Sequence, residues 1–221
     1  DVAEAFEPER LVGKDLAVVF GFRRLTSGLA AELRAFAERG GSVVLVPDSG
    51  QAGEGDFYGT LLGVEAGTWQ TRDDRVSRLN WEHPLFDGVF GKVPDRPDLP
   101  RASAVLRMGT QPRQEVLATL QNGGAFLSAT PVGEGVVFAF HADLDPQQSN
   151  FMRHALWVPT WLRIAERSRA TPIYALTLGS AGRIRVAHNA GADLSNGSPL
   201  RLVPLAESGS PLLPAVTPVR G

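Results

Sequence analysis

The stretch from residue 15 to residue 48 constrains the fold of this chain more than any other part. Two short, almost uninterrupted apolar runs, 16–22 and 43–46, flank a segment whose apolar residues recur at helical spacing. That order predicts a β-strand, an α-helix and a second β-strand. An apolar run without alternation is typical of a strand covered on both faces, as in a parallel sheet. The stretch therefore predicts a parallel βαβ unit.

The ends of the predicted helix carry residues that favour helix termini. Thr26 or Ser27 can accept a hydrogen bond from a free backbone N–H group of the first turn. Gly40 or Gly41 can adopt the left-handed conformation that ends a helix. We therefore expect the helix to lie between these two pairs.

The central part of the chain predicts short elements. Residues 57–64 predict a short helix, and residues 76–79 predict a brief strand. Apolar runs at 115–120, 125–130 and 136–141 predict an antiparallel meander. An Asn-Gly pair between the first two runs is a strong hairpin signal, because both residues accept a positive φ.

The carboxyl-terminal part of the chain changes from a helical pattern to short alternating runs. Residues 149–169 carry a helical pattern that contains Pro159, which predicts a kink or two helices in series. From residue 171 onwards, short alternating runs are separated by Gly, Asn, Ser and Pro. We therefore expect an α/β domain over 1–170, and over 171–221 a small β-rich appendage or the start of a following β domain.

The composition removes several classes of function. The chain has 22 basic and 24 acidic residues, so its overall charge favours neither nucleic acid nor acidic lipid as a partner, which leaves only local patches. It contains no cysteine, which removes disulfides, thiolate metal sites and cysteine nucleophiles. No apolar run is long enough to span a bilayer. Because the chain begins at Asp1, we expect a domain of a longer protein whose membrane contacts lie in other segments.

One set of residues resembles a nucleophile, a base and an orienting carboxylate: Ser128, His141 and Asp143. His141 and Asp143 lie at a predicted strand end, whereas Ser128 is not part of a GxSxG motif. Alternation along neighbouring strands need not bring the three together, and polar groups that cap the next helix are the competing interpretation. His141, Asp143 and Asp145 could instead bind a divalent metal. We predict no catalytic residue, no metal ligand and no cofactor, and keep the three residues as alternative candidates.

A Gly-rich loop, 49–56, follows the second predicted strand of the βαβ unit. Ligands of open α/β sheets bind at the carboxyl ends of the strands, so Asp48, Ser49 and Gly50 are candidate ligand-binding residues. The loop matches no phosphate-binding fingerprint, and a surface connection without a ligand is the competing interpretation.

Other polar and aromatic residues have simpler structural interpretations. His83 precedes a proline that favours a turn, so a structural histidine is expected before a ligand or a base. Asp73 and Asp74 are expected to be solvated or to cap local structure. Trp157 and Trp161 are four residues apart on one predicted helix face, which favours a buried contact. The alternatives are a stacking surface formed by Trp69, Trp81, Trp157 and Trp161, and self-assembly through Trp157 and Trp161.

Four segments carry a family resemblance: 15–48; His-Pro-Leu-Phe-Asp-Gly-Val-Phe at 83–90; Gly-Glu-Gly-Val-Val-Phe-Ala-Phe at 133–140; and Ser-Asn-Phe-Met-Arg-His-Ala-Leu-Trp-Val-Pro at 149–159. Together they resemble the class I glutamine amidotransferase-like domain of BatA-type aerotolerance-related bacterial membrane proteins. The resemblance implies a mostly parallel, flavodoxin-like sheet flanked by helices, here with an antiparallel extension and a small C-terminal β appendage. It also implies a membrane-anchored parent protein of the cell envelope, with this domain on the extracytoplasmic side.

The activity of true amidotransferases is not implied. Those enzymes carry a Cys nucleophile with His and Glu partners, and this chain has no cysteine. We therefore expect a non-catalytic binding or assembly module whose partner is a protein or a flanking domain of the same chain. A hydrolase or metal-dependent carbohydrate-active enzyme that uses Ser128, His141 and Asp143 is the alternative.

Overall fold

The fold is described from a computed structural model. It describes residues 8–21, 26–50, 55–86, 89 and 97–168. The predicted appendage, 171–221, lies outside these residues, so the division of the chain at residue 170 stays a prediction.

The described residues form one seven-stranded sheet with three α-helices. The strand order across the sheet is β1-β2-β7-β6-β5-β3-β4. Two short 3-10 turns, Pro8–Leu11 and Phe151–Arg153, complete the structure. The elements in chain order are β1 (Leu16–Phe20), α1 (Ser27–Glu38), β2 (Ser42–Val46), α2 (Gly55–Leu62), β3 (Ala66–Leu79), β4 (Arg101–Met108), β5 (Glu115–Leu120), β6 (Ala125–Val132), β7 (Gly135–Phe140) and α3 (Trp157–Arg167). None of the helices in the described ranges is long and apolar enough to cross a membrane.

The expectation of a mostly parallel, flavodoxin-like sheet flanked by helices is wrong. The pairs β1–β2 and β2–β7 are parallel, whereas β7–β6, β6–β5, β5–β3 and β3–β4 are antiparallel. The error lies mainly in β3 and β4. Most residues of β3 are polar, so the apolar pattern predicted a strand at 76–79 alone, and no pattern predicted β4. The long, mostly polar strand β3 and its antiparallel partner β4 are therefore what change the fold class.

The βαβ unit lies at the parallel end of the sheet. Val18 of β1 lies opposite Val44 of β2 in parallel register. Thr26 caps α1 by accepting a hydrogen bond from the Leu29 N–H group at 3.2 Å. Gly40, just beyond the helix, has a φ of 99°, the left-handed region that glycine adopts without a Cβ clash.

The segment predicted as an interrupted helix forms two elements in series. The 3-10 turn Phe151–Arg153 comes first, and α3 follows from Trp157. Pro159 is the third residue of α3. Because the N–H groups of the first helical turn have no partner within the helix, a proline there removes no helical hydrogen bond.

Apolar clusters cover both faces of the sheet at β2. Val43 and Leu45 belong to the cluster that contains the buried side of α1 and α2. Val44 and Val46 belong to the opposite cluster, which contains Ile164 of α3. Every residue of β2 is buried, which explains its unbroken apolar sequence.

The two outer strands of the sheet differ in how their edges are covered. Two isolated bridges, Ala102 to Ser149 and Val105 to Ala142, join β4 to the segment that follows β7. We call this segment, residues 141–149, the closing segment. The outer edge of β1 pairs with no strand among the described residues.

Candidate functional site

Ser128 and His141 lie on neighbouring antiparallel strands and contact each other. Ser128 lies opposite Ala139 of β7, and His141 directly follows β7. Residues two apart on a strand share a face, so His141 is a diagonal neighbour of Ser128. The Ser128 Oγ and His141 Nε2 atoms are 2.8 Å apart. The register of β6 against β7 therefore builds this pair.

Gln114, which sequence reasoning missed, also contacts this pair. Its Nε2 atom donates to Ser128 Oγ at 3.0 Å. The hydroxyl also contacts His141 Nε2, and the direction of that hydrogen bond depends on which ring nitrogen carries the proton. When Nδ1 carries it, the hydroxyl donates to Nε2, which is the direction that activation of a serine nucleophile requires.

Both residues of this pair are buried. Ser128 is 0% exposed and His141 is 4% exposed. Because burial penalises the charged imidazole, it lowers the pKa of His141 to about 4. Near neutral pH the ring is therefore uncharged, and it is a weak base. The geometry of a nucleophile and a base is present, but without access from solvent.

Asp143 does not orient His141. Its Oδ2 atom accepts hydrogen bonds from the backbone N–H group of Ser49, at 2.8 Å, and from the Ser49 hydroxyl. Its Oδ1 atom accepts from the Asp145 N–H group at 2.8 Å. Because β2 and β7 are parallel neighbours, their carboxyl ends lie side by side. The Asp143 carboxylate joins the segments that follow these two strands.

The backbone of the closing segment also pairs with β4. The Leu106 N–H group donates to the His141 carbonyl at 2.7 Å, and the Asp143 N–H group donates to the Ala104 carbonyl at 3.1 Å. His141 and Asp143 are thus part of the cover over the β4 edge. Of the three candidate catalytic residues, the structure brings Ser128 and His141 together and directs the Asp143 side chain elsewhere.

The three candidate ligand-binding residues lie in the loop after β2. The Asp48 Oδ1 atom accepts a hydrogen bond from the Gly50 N–H group at 2.7 Å, which forms a local turn. Ser49 is bound to Asp143, as described above. Gly50 is exposed, and Asp48 and Ser49 are partly exposed. Residues 48–50 are therefore partly open to solvent, while these hydrogen bonds hold the Asp48 and Ser49 side chains in place.

His83 and His154 have the same local role, although sequence reasoning considered His83 alone. In each, Nδ1 accepts the N–H group of the residue two positions on, Leu85 at 3.1 Å and Leu156 at 3.2 Å. In each, Nε2 lies 3.8 Å from a carboxylate oxygen. Burial lowers the pKa of both rings, and the neighbouring carboxylate partly opposes this. The shared His-x-Leu spacing was the signal available in the sequence.

Trp157 and Trp161 pack into the structure. Their ring centroids are 5.3 Å apart, and Trp161 stacks on Phe140 with centroids 6.0 Å apart. Trp157 meets Phe151 edge to face. The large exposed apolar residues of α3 are Val158 and Leu162 instead.

Asp74 differs from the expectation of a solvated or capping residue. It is buried in β3, and its Oδ1 atom accepts a hydrogen bond from the Arg75 N–H group. Its Oδ2 atom is buried with no hydrogen-bond partner among the described residues. Within those residues no group of three His, Asp or Glu side chains converges as a metal site would require.

No family model matches the chain, and no curated protein matches it. The resemblance to the amidotransferase-like domain therefore stays a prediction.

Solved structures match the fold at low identity. The cytoplasmic protein STM3548 from Salmonella typhimurium has a TM-score of 0.54 and 15% identity, over 72% of this chain and 73% of that one. The mmIFT52 N-terminal domain has a TM-score of 0.53 and 11% identity, over 77% of this chain and 83% of that one. A β-galactosidase from Rahnella sp. R3 has a TM-score of 0.51 and 16% identity, over 72% of this chain. This chain spans 23% of the length of that enzyme. These similarities concern the fold.

Proposed function

We propose that this chain is a non-catalytic binding or assembly module of a larger protein. The observation that carries the proposal is the burial of Ser128, which is 0% exposed. A serine nucleophile must contact the atom that it attacks, so a hydroxyl enclosed by Gln114 and His141 has no route to a substrate.

The electrostatics of the pair support the same conclusion. A catalytic base near neutral pH is most effective when its pKa is close to that pH, whereas burial lowers the pKa of His141 to about 4. A carboxylate beside the ring would favour the charged form, but Asp143 is bound to Ser49 and Asp145. The polar network therefore links strands and closes the sheet edge.

The comparisons support the idea of a module. One similar structure is the N-terminal domain of mmIFT52, and the similar part of the Rahnella β-galactosidase is 23% of that chain. The same architecture thus occurs as one part of longer proteins. Because the sequence identity is low, the similarity supports only the use of this fold as a module. It does not transfer an activity to this chain.

The partner of the module is a protein or a flanking domain of the same chain. The contact surface would be the loop at the carboxyl ends of β2 and β7, with Asp48, Ser49 and Gly50. A suitable test measures binding in trans between this chain and the rest of its parent protein. Asp48→Lys is expected to weaken that binding, whereas Asp73→Lys, an exposed acidic change on β3, is expected to leave it unchanged.

The location of the parent protein in the cell envelope, with this domain on the extracytoplasmic side, stays a prediction. It rests on the family resemblance. Protease treatment of intact cells and of permeabilised cells tests it, because an extracytoplasmic domain is cleaved before the inner membrane is opened.

The second candidate function is a hydrolase that uses Ser128, His141 and Asp143. The 2.8 Å contact between Ser128 Oγ and His141 Nε2 favours it. It would require a movement that exposes the serine and turns Asp143 from Ser49 to the imidazole.

One experiment separates the two functions. The wild-type chain, Ser128→Ala and the control Ser103→Ala are assayed against panels of esters, amides and glycosides. Ser103 is a suitable control because its hydroxyl is also hydrogen-bonded, but to Gln148 rather than to a histidine. We expect no turnover by any of the three proteins. Turnover by the wild type and Ser103→Ala that Ser128→Ala abolishes would establish the hydrolase.

A further inference from the structure

The backbone groups on the outer edge of β1 have a direction that follows from two hydrogen bonds. The Asp15 carbonyl accepts from the Ser42 N–H group at 2.9 Å, and the Gly21 N–H group donates to the Val46 carbonyl at 3.0 Å. Backbone groups of alternate residues in a strand point to the same side. The odd-numbered residues from 15 to 21 therefore face β2.

The even-numbered residues Leu16, Val18 and Phe20 consequently direct their N–H and C=O groups away from β2. No strand among the described residues pairs with them. Within the described part of the chain, each of the three residues thus contributes one N–H donor and one C=O acceptor without a strand partner to this edge. Such a row of groups is a template for pairing with another strand.

The side chains of the same three residues are apolar and share one face of the sheet. Leu16 packs against the cluster that contains α3, so Val18 and Phe20 lie on that face as well. Val18 is 47% exposed and Phe20 is 51% exposed. Protected edge strands usually carry a charge, a proline or a bulge, and β1 contains none of these.

We propose that β1 pairs with β1 of a second copy of this chain, in antiparallel orientation about a two-fold axis at Val18. Each outward-facing backbone N–H and C=O group of Leu16, Val18 and Phe20 then has a hydrogen-bond partner. Val18 lies opposite Val18 of the other copy, and Leu16 lies opposite Phe20 in both directions. Three N–H groups and three carbonyls from each copy form six hydrogen bonds across the axis.

The edge is self-complementary in chemistry as well as in hydrogen bonding. The three apolar side chains of each copy form one continuous strip, in which the larger Phe20 meets the smaller Leu16. In this register Asp15 lies opposite Gly21 of the other copy, so no like charges meet within the paired strands.

The contact area of one strand is small, so the dimer is in concentration-dependent exchange with the monomer. This inference goes beyond the proposed function and would hold for an enzyme as well.

The experiment is sedimentation velocity of the whole chain over a wide range of protein concentration. The wild type is expected to shift from monomer to dimer as concentration rises. Val18→Pro is expected to remain monomeric, because it removes an outward donor and places a ring at the axis, while the bonds to β2 remain. Val18→Lys, an exposed change without backbone effect, is expected to lower the dimer fraction as well and keeps the test valid if the proline variant fails to fold.

A matched control distinguishes dimerisation through β1 from non-specific association of exposed apolar side chains. Leu162→Lys removes an exposed apolar side chain of α3 and leaves β1 intact, so it is expected to dimerise like the wild type. A wild type that stays monomeric at every concentration would overturn the proposal. So would a dimer that Val18→Pro and Val18→Lys preserve, or one that Leu162→Lys abolishes. Concentration-independent protection of the Val18 N–H group from hydrogen exchange would show that another segment occupies the edge, which also overturns it.

Discussion

The outer edges of β4 and β1, the two outermost strands of the sheet, differ in whether another segment pairs with them. At β4, residues 141–149 of the same chain pair with the outermost strand and donate and accept hydrogen bonds along it. At β1, three residues direct their backbone groups away from the sheet, and no described strand meets them. The closed edge is built from polar side chains and turns, whereas the open edge is apolar and uncharged.

This difference assigns the candidate catalytic residues a structural task. His141 and Asp143 belong to the segment that closes the β4 edge, and their backbone groups bond to Leu106 and Ala104. The side-chain contacts of the two residues, to Ser128 and Ser49, then hold that segment against the sheet. Closure of the β4 edge is therefore a structural role of these groups. New contacts are expected where the sheet is left open.

The largest effect is expected from proline at the two neighbouring valines of β1. Val19→Pro removes an N–H group that faces β2 and forces a ring into the parallel pair, so the free energy of unfolding should fall by about 3 kcal/mol. Val18→Pro, whose N–H group faces outwards, should cost far less. Urea denaturation of both variants measures the difference. Equal losses would contradict the assignment of the open side.

Acid should weaken the closed edge. The ordinary pKa of a histidine side chain is 6.5, and burial lowers the pKa of His141 to about 4 in the folded chain. The unfolded chain therefore binds more protons between these values, so stability is complete above pH 6.5 and is lost as the pH falls towards 4. The loss from this group is about 3 kcal/mol.

The pH dependence has its own control. His141→Gln removes this titration, so its curve of stability against pH should be flatter than that of the wild type. Part of the slope remains, because burial also lowers the pKa of His83 and His154. Identical curves for wild type and variant, measured by urea denaturation from about pH 7 to about pH 4, would count against the buried imidazole.

Asp143→Ala should loosen the junction between the closing segment and the loop after β2. It removes the acceptor of hydrogen bonds from Ser49 and from the Asp145 N–H group, and the expected loss is about 2 kcal/mol. Asp145→Ala is the matched control, because that carboxylate is exposed and caps a local turn at Gln147. Thermal unfolding of both variants should show the larger shift for Asp143→Ala. The reverse order would mean that the junction carries little stability.

The smallest effect is expected at the far end of the closing segment. The buried Ser149 hydroxyl donates to the Arg101 carbonyl at 2.9 Å and accepts from the Phe151 N–H group at 3.1 Å. Ser149→Ala should therefore cost about 1 kcal/mol. Amide exchange of Ser103, whose N–H group bonds to the Gln148 carbonyl, should become faster at the same time. Unchanged exchange there would show that β4 does not depend on this cover.

The parallel βαβ unit and the antiparallel meander of β5, β6 and β7 were accessible from local sequence patterns, and the pair of β3 and β4 was not. The strands around α1 are apolar because β2 is buried on both faces, and a capping Thr26 and a left-handed Gly40 mark the helix ends. β3 carries polar residues over most of its length, so its hydrogen bonds to β4 rather than its side chains define it. The flavodoxin-like prediction failed because a local pattern does not reveal such a partner.

The sequence predicted which residue types form the candidate site, but not which side chains contact each other. Ser128 and His141 meet because of the antiparallel register of β6 and β7, which alternation alone does not fix. Asp143 meets Ser49 because β7 inserts beside β2, although the two residues are 94 positions apart. The order of strands in a sheet depends on the whole fold, so the sequence supplied the polar residues without their partners.

Residue-resolved amide hydrogen exchange in dilute solution compares the two edges most directly. The N–H group of Leu106, which bonds to the His141 carbonyl, should be protected, whereas the N–H group of Val18 should exchange rapidly in the monomer. Rapid exchange at Leu106 or strong protection at Val18 under the same conditions would contradict the account of one closed and one open edge.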